Sequence, residues 1–225
     1  MSSKIIYHGS SIIIEHPEFG AGKPNNDYGQ GFYCTENIDL AKEWACSESK
    51  DGYANKYSID LSSLSILDLT SKEYNTLNWL AVLLENRIFD LSNPLARSAK
   101  NYLINNFLPD YAKYDVINGY RADDSYFSFA RAFINNQISL KQLAYVMKLG
   151  ELGNQIVLKS QKAFNSLSFI NYEIAKSALY YPKKKQRDEN ARNAFYREFN
   201  SPDLNGIYMR DILAQEIKNN DPRLF

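Results

Sequence analysis

Three short segments place polar and aromatic residues where predicted strands begin or end. The first is YHGS at 7–10, which contains His8, one of only two histidines in the chain. The second is DYGQGFYCT at 27–35, where two glycines flank a glutamine and allow a tight turn or a close backbone approach. The third is NQIVLKS at 154–160, in which Gln155 begins a strand. Taken singly, these segments are also typical of an edge histidine, a plain turn and an ordinary strand.

Taken in order, the segments resemble the motifs of the ADP-ribosyltransferase superfamily, in its poly(ADP-ribose) polymerase and diphtheria-toxin class. That class carries His-Gly-Ser/Thr on the first core strand and Gly-x-Gly-aliphatic/aromatic-Tyr on the next. It also carries a second aromatic residue on the following helix, and Trp44 lies eleven residues after Tyr33 here. More narrowly, the chain resembles an uncharacterised bacterial family, a domain of unknown function often found beside toxin–antitoxin and phage-defence genes.

The resemblance implies that NAD is a substrate whose ADP-ribose is transferred to a macromolecule. Tyr33 and Trp44 would stack on the two faces of the nicotinamide, where a cation over an aromatic ring gains about 0.5–2 kcal/mol. The backbone of Gly9 would pair with the carboxamide, which requires a residue without a side chain. His8 would hydrogen-bond a ribose hydroxyl through a ring nitrogen. Ser10 would lie toward the adenosine.

The third motif departs from the superfamily pattern at Gln155. Vigorous transferases carry a glutamate there, which hydrogen-bonds the nicotinamide ribose and stabilises the developing positive charge. An amide still orients the ribose 2′-hydroxyl, but it is not a general base and has no full negative charge. Three interpretations stay open. The enzyme is a slower mono-transferase whose target supplies its nucleophile, another carboxylate (Glu151 or Asp124) takes the role, or the site binds NAD-like ligands without turnover.

Further acidic residues lie near predicted turns. In YRADD at 120–124, Asp123 and Asp124 are expected to face the cleft, because the resembling family carries a similar Ala-Asp-Asp. Alternatively, Asp124 is a helix N-cap and Arg121 is paired at the surface. Asp27 is expected to border the NAD-binding loop, although an Asx-type turn explains it equally well.

Composition excludes several other classes of function. Lys+Arg and Asp+Glu number 26 each, so no global field attracts nucleic acid or an anionic membrane. The basic run KKKQR at 183–187 is interpreted as a solvated helical face rather than a phosphate contact. His16 is expected at the surface. Two separate cysteines and two histidines predict neither a disulfide framework nor a metal site.

The chain also has no P-loop and no third glycine of a Rossmann fingerprint, so NAD would not be held in a Rossmann manner. It contains no stretch of about 18 apolar residues, and its first residues do not resemble a signal peptide. We therefore expect a cytoplasmic protein without membrane association.

The order of the elements predicts an α+β fold, with a split β-sheet core of the ADP-ribosyltransferase type. Residues 1–176 are predicted as one domain that contains a helical insertion at about 71–110. A helical C-terminal extension, 177–225, is expected to pack on this domain. Thr35 is the predicted N-cap of the first helix, and Ser139 that of a later one.

These features predict an NAD-dependent ADP-ribosyltransferase that modifies a protein or nucleic acid, in the setting of a toxin or defence effector. An antitoxin or another neighbouring-gene product is the expected partner. The alternatives are an NAD glycohydrolase on the same scaffold, with water as acceptor, and a catalytically silent module that binds an NAD-like ligand or a partner. The helical tail would be the interaction surface of such a module.

Overall fold

The computed structural model describes residues 3–122, 124–149 and 153–225, with the backbone alone for 124–126 and 146–149. The strands of these residues are β1 (Ser3–Ser10), β2 (Phe32–Cys34), β3 (Gly52–Asp60), β4 (Ile66–Asp68), β5 (Val116–Tyr120), β6 (Asn154–Leu158) and β7 (Leu167–Ala175). The α-helices are α1 (Ile38–Ala45), α2 (Thr76–Asn86), α3 (Pro94–Phe107), α4 (Asp124–Ile134), α5 (Leu140–Leu149), α6 (Gln161–Asn165), α7 (Ser177–Phe199) and α8 (Met209–Ala214).

The strands form two sheets, which confirms the predicted α+β class and the split of the core. One sheet has the order β1-β3-β7, and the other has the order β2-β6-β5-β4. Within the described residues one bridge joins them: the Tyr7 N–H donates to the Thr35 carbonyl at 2.8 Å, and the Thr35 N–H donates to the Tyr7 carbonyl at 2.9 Å. Past this bridge, β3 alone among the described strands pairs with β1, so these strands leave one edge of β1 open.

Two helices, α2 and α3, occupy the segment predicted as a helical insertion. They connect β4 to β5, which are parallel neighbours, and parallel neighbours require a crossover of this kind. The following residues of α2 are almost completely buried: Leu77, Asn78, Trp79, Leu80, Ala81, Val82, Leu83 and Leu84. The helix therefore forms much of the largest hydrophobic cluster, and it ends at Arg87, its C-cap.

Helix α1 begins two residues later than its sequence indicates, so the prediction of Thr35 as its N-cap is wrong. Asn37 is the N-cap, and its Oδ1 accepts from the N–H groups of Asp39 at 2.9 Å and Leu40 at 3.2 Å. The physical reason is that the Thr35 backbone is held in the bridge between the sheets. Ser139, in contrast, does cap α5, since its Oγ accepts from the Gln142 N–H at 3.2 Å.

Helix α1 packs directly on β1 at a glycine. A Cβ on Gly9 would lie 2.0 Å from the carbonyl oxygen of Ala41, closer than any real contact. The absence of a side chain at Gly9 is thus required by the contact between strand and helix, whatever the backbone of Gly9 binds.

Helix α7 is attached to α1 by a buried ion pair. The Arg187 guanidinium donates to both carboxylate oxygens of Glu43, from Nε at 2.9 Å and from Nη2 at 3.0 Å. The Glu43 side chain is 4% exposed, so this bidentate pair is largely removed from water. The start of α7 is also fixed, because Ser177 donates through its N–H to Asp51 at 2.8 Å and through its Oγ to the Ser47 carbonyl at 2.7 Å.

We predict that Arg187→Ala lowers the free energy of unfolding by about 3 kcal/mol, because it leaves the buried Glu43 carboxylate without its partner. Urea denaturation followed by circular dichroism measures this. The double variant Glu43→Leu/Arg187→Leu should recover most of the loss, since no buried charge remains.

The matched control on the same helix is Arg192→Ala. Arg192 pairs with Asp188 at 2.9 Å, but both side chains are exposed, so its loss should cost less than about 0.5 kcal/mol. Equal losses for Arg187→Ala and Arg192→Ala would contradict the anchoring role of the buried pair.

Candidate active site

A cleft of about 930 Å³ lies beside the bridge between the two sheets. Its volume is in the range of small-molecule sites, about 300–1,000 Å³. The cleft brings together six of the residues that the sequence singled out: His8, Gly9, Asp27, Tyr33, Trp44 and Gln155. Ser10 is not among its lining residues; its Oγ accepts from the Ile12 N–H at 3.3 Å.

The ring of His8 is fixed in orientation and tautomer. Its Nδ1 lies 2.7 Å from the Tyr33 carbonyl oxygen, and its ring stacks on Phe32 with centroids 4.3 Å apart. A carbonyl oxygen only accepts, so Nδ1 carries the proton and Nε2 is left as an acceptor. Burial lowers the pKa of His8, and the bond to the Tyr33 carbonyl raises that pKa in part. The neutral ring therefore dominates at neutral pH.

Gly9 directs its backbone polar groups to the open edge of β1. Backbone groups alternate between the two edges along an antiparallel strand. Tyr7 bonds to Thr35 across this edge, so Gly9, two residues later, points its N–H and C=O to the same side. Gly9 lines the cleft there, and it offers one donor and one acceptor side by side.

Tyr33 uses its hydroxyl to hold the glycine turn before β2. The Oη donates to the Gly29 carbonyl at 2.6 Å and accepts from the Tyr28 N–H at 3.0 Å. Burial raises the pKa of Tyr33, so the phenol stays neutral. Gly29 has φ +73°, a conformation that favours glycine. Lys159 Nζ donates to the carbonyls of Tyr28 and Gln30, which fixes the same turn from β6.

Trp44 is partly exposed to the cleft and carries a cation on its ring. The guanidinium carbon of Arg121 lies 4.3 Å from the Trp44 ring centroid, a favourable cation–π distance. A nicotinamide ring must therefore stack on another part of Trp44 or displace Arg121. The structure places Arg121 inside the site, where the sequence left it as a candidate surface residue.

At the base of the cleft, Gln155 has an unpaired oxygen. Gln155 is 5% exposed, and its Nε2 donates to Asp27 Oδ2 at 3.3 Å. A carboxylate only accepts, so the amide nitrogen must face Asp27 and the amide oxygen must face away. That oxygen, Oε1, is buried and has no hydrogen-bond partner among the described residues. Buried acceptors are rarely left unpaired, and Gln155 lines the cleft, so a ligand hydroxyl would satisfy this oxygen once the side chain shifts enough to expose it.

Asp27 is a buried carboxylate behind this amide. Its Oδ2 accepts from the Ala122 N–H at 2.9 Å, and Arg87 Nη1 lies 3.4 Å from its Oδ1. Burial raises the pKa of Asp27 to about 6, while the Ala122 N–H, the two arginines Arg87 and Arg121, and Gln155 act to lower it. Asp27 is therefore mostly ionised at pH 7.5 and holds a negative charge against Gln155.

Tyr28 explains why Asp27 lies where it does. The Tyr28 side chain is completely buried, and its Oη donates to the Tyr120 carbonyl at 2.6 Å. A Cβ on Gly119 would lie 2.2 Å from that hydroxyl, so β5 needs glycine to admit it. Tyr28 thus fixes Asp27 against the end of β5. Gln155 pairs with Gly119 of the same strand, so Asp27 and Gln155 are held next to each other.

The chain belongs to a family of proteins of unknown function, DUF3990. The family model matches residues 4–169, which include all six cleft residues named above. Helix α7 lies after the matched segment. No curated protein and no solved structure matches the chain.

Three acidic candidates lie partly or wholly outside the described residues. Asp123 and Glu151 are not described, and of Asp124 only the backbone is, as the first residue of α4. In the described part of the chain, no group of three or more His, Cys, Asp and Glu side chains forms a metal-binding cluster. No helix of that part has both the length and the apolar character needed to cross a membrane.

Several cleft residues carry no sequence motif. Arg87 reaches the site only because α2 ends there. His16 is exposed, as expected, but it also lines the cleft. Lys184 and Lys185, within the basic run KKKQR, are exposed and line the cleft from α7. Local sequence gives no signal for these positions, because each depends on contacts between distant segments.

The raised pKa of Asp27 predicts a specific dependence of stability on pH. The folded state binds the Asp27 proton more tightly than the unfolded chain does. The free energy of unfolding therefore loses about 3 kcal/mol of this contribution as the pH rises from about 4 to above 6. Asp27→Asn should remove that decline, so the variant should gain stability relative to the wild type between pH 4 and pH 7.5.

Urea denaturation of both proteins at several pH values measures the difference. The control is Asp60→Asn, at an exposed carboxylate whose pKa is lowered by hydrogen bonds from Ser62. That variant should gain nothing at pH 7.5. Parallel pH profiles for the wild type and Asp27→Asn would show that the Asp27 pKa is not raised in the folded protein.

Proposed function

We propose that this protein is an NAD-dependent ADP-ribosyltransferase that transfers a single ADP-ribose unit to a protein or nucleic acid. The observation that carries the proposal is the unpaired, buried Oε1 of Gln155 in a cleft, with the ionised Asp27 bonded to the same amide. A ribose hydroxyl is a donor that suits this oxygen. The negative charge behind it suits a sugar that becomes positively charged.

The groups around Gln155 can bind the nicotinamide riboside half of NAD. The neutral His8 ring offers Nε2 as an acceptor for one ribose hydroxyl, and Gln155 Oε1 accepts from another. The Gly9 N–H and C=O match the acceptor and the donor of the carboxamide. Tyr33 and Trp44 supply aromatic surface for the charged nicotinamide ring, which a cation–π contact favours. Each of these residues lines the cleft.

In the proposed reaction, the bond between the ribose C1′ and the nicotinamide nitrogen breaks. Its electron pair leaves with the nicotinamide, which becomes neutral, and the sugar becomes an oxocarbenium ion. Asp27 supplies the charge that stabilises this ion, and Gln155 transmits it as an oriented dipole. A nucleophile of the target then attacks C1′ and releases its proton to its own surroundings.

This assignment selects among the interpretations that the sequence leaves open. Asp27, rather than Glu151 or Asp124, is the proposed second carboxylate. Because Asp27 is buried behind Gln155, with a 3.3 Å contact between them, we do not assign it as the base that deprotonates the acceptor. The proposal is therefore a mono-transferase whose target brings its own nucleophile. By the resemblance stated above, the proposed setting is a bacterial toxin or defence effector with a neighbouring-gene partner.

The test is NAD consumption by the purified protein in cell lysate, with clickable NAD to detect the modified macromolecule. Asp27→Asn should lower the rate of NAD consumption by about 100-fold, because it removes the stabilising charge while keeping the shape of the side chain. His8→Ala should also abolish consumption. Asp60→Asn, at an exposed carboxylate, is the control and should be fully active.

A charge exchange makes this test sharper. In Asp27→Asn/Gln155→Glu the carboxylate moves to position 155, while the amide oxygen introduced at position 27 keeps the bond from the Ala122 N–H. The double variant should therefore recover part of the activity that Asp27→Asn loses, because it returns a negative charge to the site. Gln155→Glu alone places two carboxylates 3.3 Å apart by the present contact, so one of them should stay protonated to a higher pH.

Other results would contradict the proposal in distinct ways. An Asp27→Asn variant as active as the wild type would remove Asp27 from the mechanism. Free ADP-ribose without any labelled macromolecule would identify an NAD glycohydrolase instead. A wild-type protein that consumes no NAD would identify a silent binding module, whose partner would then be sought among neighbouring gene products.

A further inference from the structure

Helix α7 forms part of the wall of the candidate active site. Its lining residues are Tyr181, Lys184, Lys185, Arg187, Asp188 and Arg192. The helix follows the segment 4–169 that the family model matches, so this wall lies outside the matched segment. The buried pair between Arg187 and Glu43 holds it against α1, the helix that carries Trp44.

In the described part of the chain, two positive charges on this wall have no acidic partner at ion-pair distance. Arg187 is paired with Glu43, and Arg192 is paired with Asp188 at 2.9 Å. For Lys184 and Lys185, the described residues provide no ion pair. Lys185 Nζ lies 5.5 Å from the centroid of the Tyr181 ring, which leaves its ammonium group able to meet an anion.

The same cleft holds two kinds of binding groups. Near the bridge it offers hydrogen-bonding groups for a sugar and a carboxamide, including the unpaired Oε1 of Gln155, a residue 5% exposed. Along α7 it offers two ammonium groups. A ligand that satisfies both ends has hydroxyl groups and a flat ring at one end and about two negative charges further along. A dinucleotide with its diphosphate has that distribution, and lysine binds phosphate as a point charge.

We propose that Lys184 and Lys185 bind the diphosphate of the dinucleotide, so that the C-terminal helix completes the nucleotide site. This inference rests on the proposed NAD-dependent function, since it takes the same cleft and the same substrate. The run KKKQR thereby acquires two distinct roles. Arg187 anchors the helix, and the two lysines before it contact the ligand.

The experiment measures the affinity of the full-length protein for two probes by calorimetry. ADP-ribose contains the diphosphate, and nicotinamide riboside contains the nicotinamide and its ribose without any phosphate. Lys184→Ala and Lys185→Ala should each weaken ADP-ribose binding by about tenfold, the effect of losing one charge-assisted contact. The affinity for nicotinamide riboside should not change.

Lys183→Ala is the matched control, because it removes the same charge from the adjacent position of the same helix. Lys183 Nζ lies 4.9 Å from the Tyr180 ring centroid, and Lys183 does not line this cleft. Its ADP-ribose affinity should equal that of the wild type. A similar loss in all three variants would indicate a general effect of charge and would overturn the inference.

The remaining outcomes separate this inference from the proposed function. Unchanged ADP-ribose affinity in Lys184→Ala and Lys185→Ala, with NAD still consumed, overturns the inference alone. If labelling of a macromolecule falls in those variants while ADP-ribose affinity is kept, the lysines contact the acceptor, and the inference is again wrong. Selective loss of ADP-ribose binding in a protein that never consumes NAD supports the inference and contradicts the transferase. Binding of neither probe by the wild type contradicts both.

Discussion

A carboxylate held out of water at the base of a cleft is the constraint on which the site depends. Asp27 accepts from a backbone N–H at the end of β5 and from the Gln155 amide on β6, and Arg87 at the end of α2 lies 3.4 Å away. Since burying a charge without such partners is costly, these elements must meet where they do. These partners do not offset the whole free-energy cost of burying the charge, and burial therefore raises the pKa of Asp27 to about 6. The ionised Asp27 carboxylate thus lowers the free energy of unfolding, at a position where its charge can assist a reaction.

The arrangement of the two sheets leaves a cleft open in front of Gln155, the residue that lies between this carboxylate and a ligand. The bridge between Tyr7 and Thr35 joins the sheets at one point, and past it the edge of β1 stays open at Gly9. His8 lines the same cleft, and its Nε2 is the acceptor nitrogen because Nδ1 donates to the Tyr33 carbonyl. The matched segment therefore contains the groups that we propose to bind the ribose and the carboxamide. Helix α7, outside the matched segment, provides positive charge further along the cleft.

Sequence patterns predict what depends on neighbouring residues and miss what depends on distant ones. The apolar strands that end near glycines, and the split of the core, could be predicted, as could the short list that contains His8 and Gln155. The helix start at Thr35 was predicted wrongly because a backbone bridge, not local capping preference, fixes that residue. The pair Asp27 and Gln155 spans 128 positions, and Glu43 and Arg187 span 144. No local period or motif connects residues so far apart.

The most direct measurement is a crystal structure of the protein with a non-hydrolysable NAD analogue. We expect a ribose hydroxyl within about 3 Å of Gln155 Oε1, with the carboxamide on the Gly9 backbone. The side chain of Asp27 should still be bonded to the Gln155 amide. An analogue bound elsewhere, or a Gln155 oxygen whose partner is a protein group rather than the ribose, would contradict this expectation.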